Sequence, residues 1–173
     1  MTTESDQQAW ADAARPILTQ IAARYGALIT TKELALQVQD ASDVRTKRLA
    51  HYWIGGVLES VAQECRKREE PMLSAFCVKA DGTIGPGYTE AVTELLGTTP
   101  PDIDLYAAQE RFEGHKHFGA KMPADGGRPQ LSPQISRSRA AAARRTREDF
   151  VRPVCPIHHL ALPATGLCDL CNE

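Results

Sequence analysis

MLSAFCVKADGTIG, residues 72–85, runs from an apolar stretch into a polar turn and back to apolar residues. Asp81-Gly82 is a hairpin-turn dipeptide, because glycine takes the positive φ that such turns demand and aspartate hydrogen-bonds its own backbone. The stretch predicts a strand, a tight turn and a short return strand. Everything around it reads as helix, so this segment decides the fold class: mainly α with a small β-hairpin.

Upstream, residues 41–70 run without proline, and Leu49, Trp53, Val57 and Val61 recur every four positions. That spacing predicts one long amphipathic helix, ended by Pro71. Gly55 and Gly56 fall in its middle, where each costs about 1 kcal/mol relative to alanine, so close approach of another backbone is expected there. Before it, Thr30 and Glu33 have the spacing of a capping box and open a short helix through Leu34, Ala35 and Val38. The first helix carries Trp10, Ala14, Leu18 and Ile21 at helical spacing, with Pro16 as a kink or restart and Gly26 as a stop. Downstream, residues 88–97 and 102–118 predict two further helices, the second with Ile103, Tyr106, Ala107 and Phe112 on its apolar face. The Gly-, Pro- and Ser-rich stretch after residue 118 predicts a flexible linker. The expected organisation is therefore a helical domain over 1–118, a linker over 119–136, an arginine-rich helix over 137–152 and a cysteine-rich end over 153–173.

The run Ile29-Thr30-Thr31-Lys32-Glu33-Leu34-Ala35 resembles the opening of the DNA-binding domain of alkylguanine alkyltransferases and alkyltransferase-like proteins. LSAFCVKADGTIG resembles the strand and wing of the same family. Together they cover residues 28–87 and imply a winged-helix-like domain whose long helix presents a recognition surface. On that implication Arg45, Lys47 and Arg48 occupy the first turns of the recognition helix and Lys79 adds a contact from the wing, all directed at nucleic acid, with duplex DNA expected. The family's Pro-Cys-His-Arg run, which bears its alkyl-accepting thiol, is replaced here by Leu73-Ser74-Ala75-Phe76. Cys77 follows on the expected strand, so alkyl transfer is not expected.

Three of the five cysteines and two of the five histidines lie in CPIHHLALPATGLCDLC, residues 155–171. Pairs of donors two residues apart let one tight turn offer both to a single ion, and Cys155 with His158 and Cys168 with Cys171 make two such pairs. His159 competes with His158. Three thiolates and one imidazole fill a tetrahedron with no open position, so a structural Zn2+ in a zinc knuckle, similar to a zinc ribbon, is expected rather than a hydrolytic one.

The net charge of −2 argues against indiscriminate polyanion binding by the whole molecule, but the charge is unevenly placed. Arg137, Arg139, Arg144, Arg145 and Arg147 surround four alanines just ahead of the cysteines, a cationic helix able to follow a phosphate backbone. His115 and His117 stand two apart on a helix, which points them away from one another and argues against a second metal site. No secretory leader and no apolar run near twenty residues is evident, so a cytoplasmic protein with no membrane partner is expected. In a reducing compartment the Cys-x2-Cys pair favours metal over disulfide, and Cys65 and Cys77 read as buried small hydrophobes. In style the alanine- and arginine-rich chain resembles small proteins of actinobacteria and their phages. The expected function is non-catalytic DNA binding or regulation. The alternative is a protein-interaction adaptor whose knuckle and hairpin hold a partner protein. An enzyme acting through Ser74 or Cys77 ranks third.

Overall fold

The computed structural model describes residues 4–148, 153–163 and 166–171, and the chain divides into two compact units, Met1–Ser136 and Arg137–Glu173. The element order is α1 (Glu4–Ala22), β1 (Ile29–Thr30), α2 (Thr31–Ser42), α3 (Ile54–Lys67), β2 (Cys77–Val78), α4 (Pro86–Leu96), α5 (Ile103–His117) and α6 (Pro133–Glu148). The fold is mainly helical, and among the described residues its one sheet is the parallel pair β1 and β2, with Ile29 opposite Cys77 and Thr30 opposite Val78.

Local chemistry explains the helix starts. Thr30 caps α2 with a full capping box, its Oγ1 accepting from Glu33 N at 3.2 Å while Glu33 Oε2 accepts from Thr30 N at 2.9 Å. Asp102 caps α5 by accepting from Leu105 N at 3.0 Å, and Pro86 sits in the first turn of α4, where its missing N–H is not needed. α1 continues through Pro16 as a single helix.

Two cores share α3. Trp10, Leu18, Leu34, Val38, Val57, Val61, Cys65 and Phe76 build the first between α1, α2 and α3. Ala62, Met72, Tyr88, Val92 and Ala107 build the second between α3, α4 and α5. Each fully buried large apolar side chain stabilises the fold by about 1.5–3 kcal/mol. Trp10 and Trp53 stack with ring centroids 4.2 Å apart, and Trp10 Nε1 donates to the Val44 carbonyl at 2.8 Å.

Four expectations change. Residues 41–70 are not one helix: residues 43–49 are irregular, Ala50–Tyr52 make one 3-10 turn, and α3 begins only at Ile54. Asp43 takes a left-handed conformation at the end of α2 (φ 56°), and the Trp10–Val44 bond holds the chain where it leaves the helix. Gly55 and Gly56 therefore lie in the first turn of α3 and not in its middle. The expected approach of another backbone is not what a side chain would meet at either position: a Cβ on Gly55 would have nothing within 4 Å, and one on Gly56 would stand 2.5 Å from the side-chain Nε2 of Gln7.

The hairpin is reduced to its turn. Lys79 N donates to Thr83 O at 2.9 Å, Gly82 has φ 81°, and Val78 bridges Ile84 antiparallel, while Leu73–Phe76 coil into a 3-10 turn instead of extending the strand. The principal partner of Cys77–Val78 is the distant β1. The buried face of α5 is also different: Ala107, Ala108, Arg111, Gly114 and His115 point inward.

Part of the stretch 119–136 is bonded to the rest of the first unit and part of it begins α6. Tyr25 Oη donates to Arg128 O at 2.9 Å and accepts from Arg128 N, and Arg111 Nη2 donates to Gln130 O at 3.0 Å. Ser132 is 2 % exposed and caps α6 by accepting from Ile135 N at 3.3 Å, with Pro133 as first helical residue. Of the arginine-rich helix expected over 137–152, residues 149–152 lie outside the described residues, as do 164–165 and 172–173 of the cysteine-rich end.

Candidate metal centre

Cys155, His158, Cys168 and Cys171 converge, with one donor atom from each lying within 4.8 Å of all the others. The first pair sits on a turn closed by backbone bonds: Cys155 N donates to Leu160 O at 2.9 Å, His159 N to Cys155 O at 2.9 Å and Leu162 N to Pro153 O at 2.8 Å. His159 takes φ 53° at the corner of that turn. The reversal leaves His158 facing the cysteines and His159 exposed, so His158 and not His159 completes the donor set. Gly166, at φ 72°, leads into the second pair, and a 3-10 turn over Asp169–Cys171 brings Cys171 back beside Cys168, its N–H donating to Cys168 O at 3.0 Å.

Four of the six donor separations are close to those of a tetrahedral coordination shell. Cys155 Sγ lies 3.7 Å from Cys171 Sγ, and His158 Nδ1 lies 3.7, 3.6 and 3.3 Å from the sulfurs of Cys155, Cys168 and Cys171. A tetrahedral ion with metal–sulfur bonds near 2.3 Å and metal–nitrogen bonds near 2.0–2.1 Å requires sulfur–sulfur edges of about 3.8 Å and sulfur–nitrogen edges of about 3.6 Å. All five cysteines are free thiols. The backbone N–H groups of His158 and Ile157 favour the thiolate of Cys155 and bring that thiol down to about 6, while Cys171, whose thiol hydrogen-bonds to Cys155, is pushed up to about 11. Backbone N–H groups aimed at sulfur, including His158 N at 3.4 Å, disperse thiolate charge in the way a bound cation needs from its surroundings.

The expected nucleic-acid contacts fall in three places. Arg45, Lys47 and Arg48 lie on the irregular segment ahead of α3 and not on a helix, because that helix begins at Ile54. Arg45 pairs with Asp40 at 2.7 Å, and Arg48 lies over the Tyr52 ring at 5.9 Å. Lys79 is on the 78–84 turn, 3.8 Å from Asp81. Arg137, Arg139, Arg144 and Arg145 are exposed on α6, and Arg147 belongs to the same helix.

Two inward-facing polar side chains escape sequence reasoning. Arg111 is 5 % exposed and His115 is 4 % exposed, on the inner face of α5. Arg111 Nη1 donates to Ala75 O at 2.9 Å; His115 Nδ1 lies 2.7 Å from Ala22 O, and its Nε2 accepts from Gly26 N at 3.0 Å. Desolvation lowers Arg111 to about 10 and moves His115 below its ordinary range. No periodicity points to their burial, since both residue types count as surface in any apolar pattern. Ser74 and Cys77 are buried, and burial pushes the Cys77 thiol up to about 12, the opposite of what a nucleophile needs.

Comparison with protein-family models, with curated proteins and with solved structures finds no match for this chain. Among the described residues no helix is long and apolar enough to cross a membrane.

Proposed function

We propose that the protein is a non-catalytic DNA-binding or regulatory protein in which a structural Zn2+ on Cys155, His158, Cys168 and Cys171 folds the C-terminal segment and α6 follows the phosphate backbone. The observation that carries this reading is α6 itself. Every residue from Arg137 to Thr146 is exposed, and no acid occurs in the helix before Glu148. A helix with arginines and no apolar stripe gains nothing from packing, and a polyanion is the partner that uses its charge. Arg137 and Arg144, seven residues apart, share one face, while Arg139 lies on the other. The four-donor shell leaves no open coordination position, so the ion stabilises and does not hydrolyse.

The winged-helix-like reading of residues 28–87 belongs to the same proposal in altered form. Arg45, Lys47, Arg48 and Lys79 supply loop-borne cations to a DNA surface, not a recognition helix.

A second reading is favoured by a specific feature of the cysteine-rich end. Val154, Ile157, Leu160, Leu167 and Leu170 are each at least half exposed, an apolar density suited to a partner protein. Titration of metal-quantified protein against random duplex and single-stranded DNA at two salt concentrations decides between the readings. Affinity that falls steeply with salt supports DNA contact. No binding by zinc-loaded protein sinks the DNA reading and leaves the adaptor.

A further inference from the structure

Beside Arg111 lies a cavity of about 60 Å³. α5 forms one wall through Arg111, Phe112 and His115, the turn after α1 forms another from Tyr25, and the 128–133 segment brings Arg128 and Gln130. Two arginines line it, and no aspartate or glutamate does. Arg111 is almost wholly buried, and its two bonds to Ala75 O and Gln130 O are to neutral carbonyls. A guanidinium has five N–H donors, so donors remain beyond those two.

The other polar groups of the lining are committed. His115 accepts from Gly26 at Nε2, so its Nδ1 carries the proton and donates to Ala22 O, which leaves a neutral ring with nothing to offer a ligand. Tyr25 Oη is engaged with Arg128 backbone atoms and with Gln130 Nε2 at 3.2 Å. Arg128 is exposed at the mouth, and its backbone, not its side chain, makes the bonds to Tyr25. A buried cation is stabilised when an anion shares its low-dielectric surroundings; the Asp104 carboxylate, which accepts from Ile84 N, offsets part of the Arg111 charge, but it is not among the residues lining the cavity, and that lining provides no anion. The volume is several times the roughly 10–15 Å³ that one water occupies on the same measure, enough for a small tetrahedral anion.

We propose that this cavity binds a phosphate-class oxyanion, with Arg111 as the buried charge and Arg128 as the second cation at the mouth. Forked guanidinium donors match the oxygens of such an anion. Because the mouth opens beside exposed Arg128, the phosphoryl end of a larger molecule fits the same chemistry as free phosphate. This inference rests on the first unit alone and does not depend on the DNA reading.

The test is thermal unfolding of the full chain with inorganic phosphate at constant ionic strength. A saturable rise in melting temperature is expected, weakened about tenfold or more in half-saturation by Arg128→Ala, restored in part by Arg128→Lys and unaffected by Arg48→Ala. Arg128→Ala is chosen because its side chain carries no structural bond, whereas Arg111 variants risk the fold. Sulfate-like general stabilisation raises all variants equally and without saturation, and that outcome, or no rise at all, overturns the proposal. With the site established, displacement of phosphate by ribose 5-phosphate assigns it to the phosphoryl end of a larger ligand, and failure to displace assigns it to the free anion.

Discussion

The sulfurs of Cys155 and Cys171 stand 3.7 Å apart, nearly twice the length of a disulfide and close to the edge of a zinc–thiolate tetrahedron. Two thiols at that separation gain little from each other. A cation between them converts the whole donor set into one cross-link, and this relationship governs the first prediction.

One zinc per chain is expected by elemental analysis, and cobalt substitution should give the intense visible absorption of a tetrahedral thiolate site. Cys168→Ser and His158→Ala should abolish both, and His159→Ala should leave both intact. Chelation should unfold residues 153–171 while the helical unit melts as before, a separation readable by circular dichroism with hydrogen exchange. A single shared melt would show that the first unit depends on the metal.

Replacement of Arg144 and Arg145 by alanine together should lower duplex affinity and make binding less sensitive to salt, the slope falling by about 0.9 for each phosphate that is no longer neutralised. Anisotropy at several salt concentrations measures both quantities. An unchanged slope would move the interface away from α6, first to Arg45, Lys47 and Arg48.

His115 makes stability depend on pH in a defined direction. Desolvation opposes its charged form in the folded protein, so between its lowered pKa and the ordinary value near 6.5 the unfolded chain binds more protons. The contribution is fully present above about pH 6.5 and is lost as pH falls through the window below it. Urea midpoints at neutral and mildly acidic pH should differ more for the wild type than for His115→Gln. Equal differences would show that the imidazole is not the titrating group.

Gly114→Ala should destabilise the first unit. Its Cβ would stand 2.8 Å from the Phe76 ring, and Phe76 is fully buried with nowhere to move. Overpacking costs about 1–3 kcal/mol against a helix-propensity gain of about 1 kcal/mol. Denaturant unfolding reads the net effect.

Thr30→Ala removes the side-chain half of the capping box and should cost about 1 kcal/mol, again readable by denaturant. The Thr30 hydroxyl and backbone N–H together hold the Glu33 carboxyl below its ordinary range, and the shift should shrink in the variant, which keeps only the backbone bond.

What can be read from residues alone is local chemistry. Thr30 with Glu33, Asp81 with Gly82 and the two donor pairs each state their geometry within a few positions, and the capping box, the turn and the clustered donors follow. Where a tertiary contact competes, periodicity misleads. Leu49 fits the four-residue repeat of Trp53, Val57 and Val61, yet it is 63 % exposed because the chain is irregular before Ile54. Ser132-Pro133 is a helix start as clear as Thr30, but the surrounding glycines and prolines make it look like linker. Arg111 and His115 are hidden for a deeper reason: their burial depends on carbonyls at Ala75, Gln130 and Ala22, partners that no spacing reveals.

The pairing of Ile29 with Cys77 has a consequence for how the chain comes together during synthesis. The first core includes Leu73, Phe76 and Cys77 as well as α1 and α2, so a nascent chain that has emerged only as far as α3 holds an open seam. Leu18, Ile29 and Leu34 then wait for the arrival of residues 73–78 before that core closes. The first two helices are thus a half-finished assembly and not a smaller domain in its own right.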